Sequence, residues 1–306
     1  MKTRQLLLSL LLSLLTTSAA SGETQCPGDV ETIRYHSLNH SQIGVSVSIN
    51  GSGPYEFLVD TGSQVTILEP SLAAELELKP QGAINVSAVG NHSKAELVVP
   101  DLVEAGTFAV RRPLVVVESL AQIQALHPNI RGLLGGSFLG HFDVLIDYAH
   151  KLLCFDETKQ MRQNLQGEHV AVVQQSDGQQ NLPFPHRLLI PTHIQGEDSR
   201  DVLLMLDSES NVPLLYTNNL KTPEWLMKVR TRVGSVAGHG PQVALTVLPS
   251  EEIRIGSRVV REVAFFVPAS AASKVVGAGE DGLLPTALFK RVFISYSDHF
   301  VIFDPR

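Results

Sequence analysis

Several kinds of catalytic equipment are missing from this chain. Its eleven His and two Cys residues form no His-Glu-x-x-His and no Cys-x-x-Cys, so no standard zinc site is readable. No Gly-x-Ser-x-Gly and no Gly-rich phosphate loop occurs, which leaves serine-hydrolase and nucleotide-enzyme readings without support. Basic residues are in deficit, 24 Lys and Arg against 31 Asp and Glu, a formal charge of −7. A nucleic acid is therefore not the expected partner. Beyond the N-terminus no apolar run approaches the roughly 20 residues a spanning helix needs, so no membrane span is expected. What remains is a chain of 306 residues, 43% apolar, long enough for two domains with real cores.

The N-terminus has the layout of a secretory signal. Lys2 and Arg4 precede an apolar run, Leu6 to Leu15, broken only by Ser9 and Ser13, and Thr16 to Ala20 is rich in small residues. Residues 1–20 are expected to be a signal peptide cleaved near Ala20, giving a secreted or periplasmic protein with a charge near −9 (−7 − 2). An uncleaved anchor is the other reading, and the run is short for it. Four Asn-x-Ser sequences, at Asn39, Asn50, Asn85 and Asn91, would matter only in a glycosylating host.

The most informative stretch is Phe57-Leu58-Val59-Asp60-Thr61-Gly62-Ser63, followed by Gln64-Val65-Thr66-Ile67-Leu68. An apolar strand runs into an acid, then Thr and Gly, and an alternating strand leaves. Strands normally exclude Asp and Gly, so a carboxylate at the mouth of such a turn points to chemistry. Downstream come Ile130-Arg131-Gly132-Leu133-Leu134-Gly135 and then Phe142-Asp143-Val144-Leu145-Ile146-Asp147-Tyr148. Gly132 lies 72 residues after Asp60 (132 − 60). Asp-Thr-Gly followed at this distance by an apolar-apolar-Gly segment resembles the signature of the retropepsin-like aspartic proteases, over roughly Ser41 to Phe155.

The second half repeats the first in outline. Val144 to Phe155 aligns with Val292 to Phe303 at an offset of 148 residues, which also aligns Ala88-Val89-Gly90-Asn91-His92 with Val236-Ala237-Gly238-His239-Gly240. Gly282-Leu283-Leu284-Pro285 answers Gly132-Leu133-Leu134-Gly135, and Leu206-Asp207-Ser208 answers Val59-Asp60-Thr61 at an offset of 147. The polar stretch Asp156 to Glu168 marks the boundary. The expected domains are a first lobe over 27–158 carrying Asp-Thr-Gly and a diverged second lobe over 159–306 carrying Asp-Ser-Glu. The resemblance implies an all-β fold, two similar β-barrel lobes facing each other across a cleft. Strands are expected at Ile43–Ile49, with a turn at Asn50-Gly51, and at Ala95–Val99, Phe108–Val110, Leu114–Val117, Val243–Leu248 and Val263–Val267. Short helices are expected near Ser71–Leu76 and Ser119–Leu126. Gly90-Asn91 and Gly238-His239-Gly240 read either as surface turns or as the tip of a substrate-closing flap. Cys26 and Cys154 could pair in an oxidising compartment, whereas the alignment of Cys154 with Ile302 favours a plain core residue.

The resemblance further implies an endopeptidase that needs no cofactor and no metal and acts on a polypeptide substrate. Two carboxylates would share one proton and activate a water. Asp60 would be one of them. Thr61 would hold the two loops together through its hydroxyl, Gly62 would leave room for substrate and backbone, and Gly132 would allow close backbone approach. Asp207 would supply the second carboxylate, with Ser208 in place of Thr. Glu209, however, stands where the family has Gly. A charged side chain there either points into the cleft or twists the loop, and it adds a third carboxylate. Three arrangements stay open: an intramolecular pair, a homodimer of first lobes, and an inactive family member that binds peptides.

Overall fold

The structure, a computed structural model, describes residues 25–39, 41–88, 91–174, 184–195, 199–216, 245–268 and 279–306. The signal-peptide reading of 1–20 and the turn at Gly238-His239-Gly240 lie outside the described residues, as does Gly90. Among the described residues no helix is long and apolar enough to cross a membrane.

Strands dominate, in three assemblies. The first half builds a ten-stranded sheet. Its centre holds Thr66–Leu68, Ile130–Leu134, Ser52–Val59 and Gln42–Ile49, in that order. The Asn50-Gly51 turn joins the last two strands; both residues are left-handed (φ 51° and 76°), the backbone that suits a tight hairpin. The second half builds a closed six-stranded barrel from Leu189–Gln195, Arg200–Asp207, Gly282–Pro285, Leu214–Leu215, Arg258–Pro268 and Leu245–Ile255. The expected short helices appear as Pro70–Glu75 and Ala121–Leu126. The strands expected at Val243–Leu248, described from 245 onward, and at Val263–Val267 belong to one long hairpin, Leu245–Ile255 and Arg258–Pro268, of 11 residues a strand.

The third assembly joins the halves. Six strands run in the order Thr32–Arg34, Leu152–Asp156, Asp143–Asp147, Arg291–Ser295, Phe300–Phe303 and Val170–Ala171. At its centre the two copies of the repeat pair antiparallel, with Val144 opposite Ile294, Leu145 opposite Phe293 and Ile146 opposite Val292. Leu145 and Phe293 are equivalent positions at the 148-residue offset and face one another. The approximate twofold axis relating the halves therefore passes between them. All ten residues of this central pair are buried except the half-buried Arg291.

Cys26 and Cys154 form a disulfide. Cys154 is also fully buried among Leu145, Met161, Phe293 and Ile302, so the core position and the covalent link coexist. The bond fastens the start of the described chain to the sheet shared by both halves.

Candidate active site

The two Asp-bearing strands are built alike. Ser52–Val59 pairs parallel with Ile130–Leu134, setting Val59 beside Leu134, and Arg200–Asp207 pairs parallel with Gly282–Pro285, setting Asp207 beside Pro285. Each acid thus emerges at the buried apolar end of a strand lying beside a Gly-Leu-Leu strand. Glycine is required in both partner strands. A Cβ on Gly132 would press into the Phe57 ring and come within 2.6 Å of the Ile67 carbonyl oxygen, and one on Gly282 would overlap the Leu214 carbonyl.

The loops that follow are near copies. Asp60 Oδ1 accepts the Gly62 and Ser63 amides at 2.9 and 3.1 Å, and Asp207 Oδ1 accepts the Glu209 and Ser210 amides at 2.7 and 3.0 Å. The Ser63 hydroxyl then donates to the Val65 carbonyl at 2.7 Å, and the Ser210 hydroxyl to the Val212 carbonyl at 2.9 Å. Glu209 therefore does not twist its loop; its backbone does what that of Gly62 does.

Four buried hydrogen bonds cross between the loops. The Thr61 hydroxyl donates to the Leu206 carbonyl and accepts the Ser208 amide, both at 3.0 Å. The Ser208 hydroxyl donates to the Val59 carbonyl at 2.7 Å and accepts the Thr61 amide at 3.0 Å. Each hydroxyl satisfies one donor and one acceptor of the opposite loop, groups that could not be left unpaired here without penalty.

This clasp brings the acids together. Asp60, Asp207 and Glu209 are only 5%, 6% and 9% exposed, and one oxygen of each lies within 4.8 Å of the others. A Cβ on Gly62 would stand 2.9 Å from the Asp207 carboxyl carbon, so the glycine lets that carboxyl approach. Burial raises the Asp60 carboxyl above its ordinary range, and the neighbouring Asp207 charge raises it further, against the pull of the Gly62 and Ser63 amides. Burial likewise raises Asp207, opposed by the Ser210 and Glu209 amides. Glu209 is pushed well up by burial and then by the charges of Asp60 and Asp207. The cluster's spacing would suit a hard divalent cation, but three acidic side chains alone do not make a metal site.

Two buried tyrosines feel the charges of the acids, and the sequence reading gave neither a role. Tyr148, from the first half, is influenced by the charge of Asp207, and Tyr296, from the second, by that of Asp60. Burial is the main reason both phenols resist ionisation. Their alignment in the repeat was the available signal. The Tyr148 hydroxyl meets the Thr286 hydroxyl at 2.5 Å, whereas the buried hydroxyl of Tyr296 has no hydrogen-bond partner among the described residues. Position 136, which matches Thr286 in the repeat, is a glycine.

Residues 45–138 match the family model described as aspartyl protease. A retropepsin-like aspartic protease from Rickettsia conorii aligns at 22% identity, covering 42% of this chain and 91% of its own, with a TM-score of 0.31. The aspartic proteinase from Irpex lacteus aligns at 12% identity over 90% of this chain and 97% of its own, with a TM-score of 0.54, a likeness of fold. No curated protein matches. Over residues 45–138 in sequence this chain is similar to aspartyl proteases, and over most of its length it shares the fold of an aspartic proteinase.

Proposed function

We propose that the protein is an aspartic endopeptidase that hydrolyses peptide bonds with a water held between Asp60 and Asp207. The observation that carries this is the reciprocal Thr61–Ser208 clasp, which presents two buried carboxyls side by side, each tied by one oxygen to two backbone amides. Aspartic proteases are the reference case for such a pair: like charges this close do not both ionise, so one Asp keeps a proton and polarises the peptide carbonyl while the other takes a proton from the water. The pair titrates as a unit.

The same observation favours an intramolecular pair over a homodimer of first lobes, because the second Asp comes from the same chain. Secretion or periplasmic residence, with cleavage near Ala20, belongs to this proposal; the disulfide between Cys26 and Cys154 supports an oxidising compartment. The test is incubation of the mature protein with a mixed peptide library at acidic and neutral pH, with and without a statine-type transition-state mimic. Cleavage that is strongest in acid and blocked by the mimic is expected. Mimic binding without cleavage would instead identify an inactive peptide binder.

A further inference from the structure

The Glu209 carboxyl has no equivalent in the first loop and no task in the mechanism just given. Its carboxyl lies beside both Asp60 and Asp207, and among the described residues its buried Oε1 has no hydrogen-bond partner. By the repeat it occupies the place of Gly62, where a Cβ would already crowd the opposite carboxyl. No Lys, Arg or His forms an ion pair with Asp60, Asp207 or Glu209 among the described residues.

We propose that Glu209 is a third proton-holding carboxyl of the catalytic centre, so that the competent site holds two protons over three carboxyls. The proposal rests on the protease reading of this site. Three ionised carboxylates in one buried cluster would place three uncompensated charges within 4.8 Å of one another. A proton on Glu209 removes one of those charges and turns its carboxyl into a donor toward the Asp pair, which its unpartnered oxygen lacks in the ionised form. As pH rises, loss of that proton returns a charge beside the pair and ends the two-proton state that the site needs. Activity then ends at a lower pH than the pair alone would set.

The surroundings offer few other titrating groups. Gln42 donates to the Glu209 main-chain carbonyl at 3.0 Å, and His127 reaches Gln42 at 3.2 Å, so this histidine touches Glu209 only through a neutral amide and the backbone. Tyr148 and Tyr216 feel the charge of Asp207 and Tyr296 that of Asp60, and burial keeps all three phenols neutral.

Glu209→Gln keeps the shape and fixes the neutral, donating form. The alkaline limb of its pH–rate profile is expected to move to higher pH, with the acid limb changed less. Melting temperature gives a second reading that needs no activity. Carboxyls raised above their unfolded values stabilise the fold below those values, and the contribution is lost as pH rises through the folded ones. Wild type should therefore lose melting temperature from acid to mildly alkaline pH, and Glu209→Gln should lose less. Should that variant not fold, Glu209→Gly, the residue the first loop carries, serves the same comparison. An alkaline limb that moves down would mean that Glu209 is ionised in the working enzyme, and superimposable melting curves would mean that it holds no proton. Either result overturns the proposal. So does a rise in wild-type melting temperature with added Ca²⁺ or Mn²⁺ that Glu209→Gln abolishes, since a cation would then balance the charge. Absence of cleavage in wild type would sink the protease reading while the melting curves still counted the protons.

Discussion

Thr61 and Ser208 exchange hydrogen bonds in both directions, each hydroxyl donating to a carbonyl and accepting an amide of the opposite loop. Thr61→Val or Ser208→Ala leaves two buried backbone groups without partners, at about 1–3 kcal/mol per variant. The double variant should cost less than the sum, because both changes strip the same clasp. Urea unfolding of the two single variants and the double variant measures this; strict additivity would show that the loops are held by something else.

Asp60→Asn and Asp207→Asn should each lower peptide cleavage by at least about 100-fold, since an amide neither acts as the base nor shares the proton. The active species should sediment as a monomer. Wild-type activity should follow a bell-shaped curve whose alkaline limb lies above the ordinary carboxylate range, because a pair raised by burial, and at Asp60 also by the Asp207 charge, is competent only while it keeps its shared proton. A silent Asp207→Asn, together with activity that falls on dilution, would reassign the pair to a dimer.

The disulfide closes a separation of 128 residues. Changing both Cys26 and Cys154 to Ala is expected to lower stability by about 2–5 kcal/mol through greater freedom of the unfolded chain and lost packing of buried sulfur. Chemical denaturation with and without reductant should show wild type under reduction approaching the double variant.

Arg187 and Glu280 form an ion pair with both side chains largely buried. Glu280→Ala breaks this buried pair and should cost about 3–5 kcal/mol, whereas replacing both residues with apolar ones should cost far less. Thermal melting of these two variants decides between a net-stabilising pair and one that is merely balanced.

The first half of the candidate site was readable because Asp60, Thr61 and Gly62 follow the apolar end of a strand and Gly132 stands inside another. The repeat carried Asp207 and Ser208 with it. Whether Glu209 bends its loop was not readable, because the amide bonds to Asp207 are made by the backbone and do not depend on the side chain. The partnership of Cys26 and Cys154 was equally hidden. Cys154 sits in a strand whose core position explains a cysteine by itself, and only the antiparallel pairing of Thr32–Arg34 with that strand brings the segment holding Cys26 alongside. The shared sheet escaped notice because strands that align as a repeat are not thereby known to be neighbours.

That shared sheet bears on how the chain can be divided. Cutting after the first lobe would strip Asp143–Asp147 of its partner Arg291–Ser295 and leave a buried apolar strand with an open edge. The twofold relation between the halves means that a second copy of the same strand could occupy the vacated place, with Leu145 facing Leu145. An isolated first lobe is therefore a self-complementary module rather than a free-standing one, and it would meet its double through the seam where the intact chain meets its own second half.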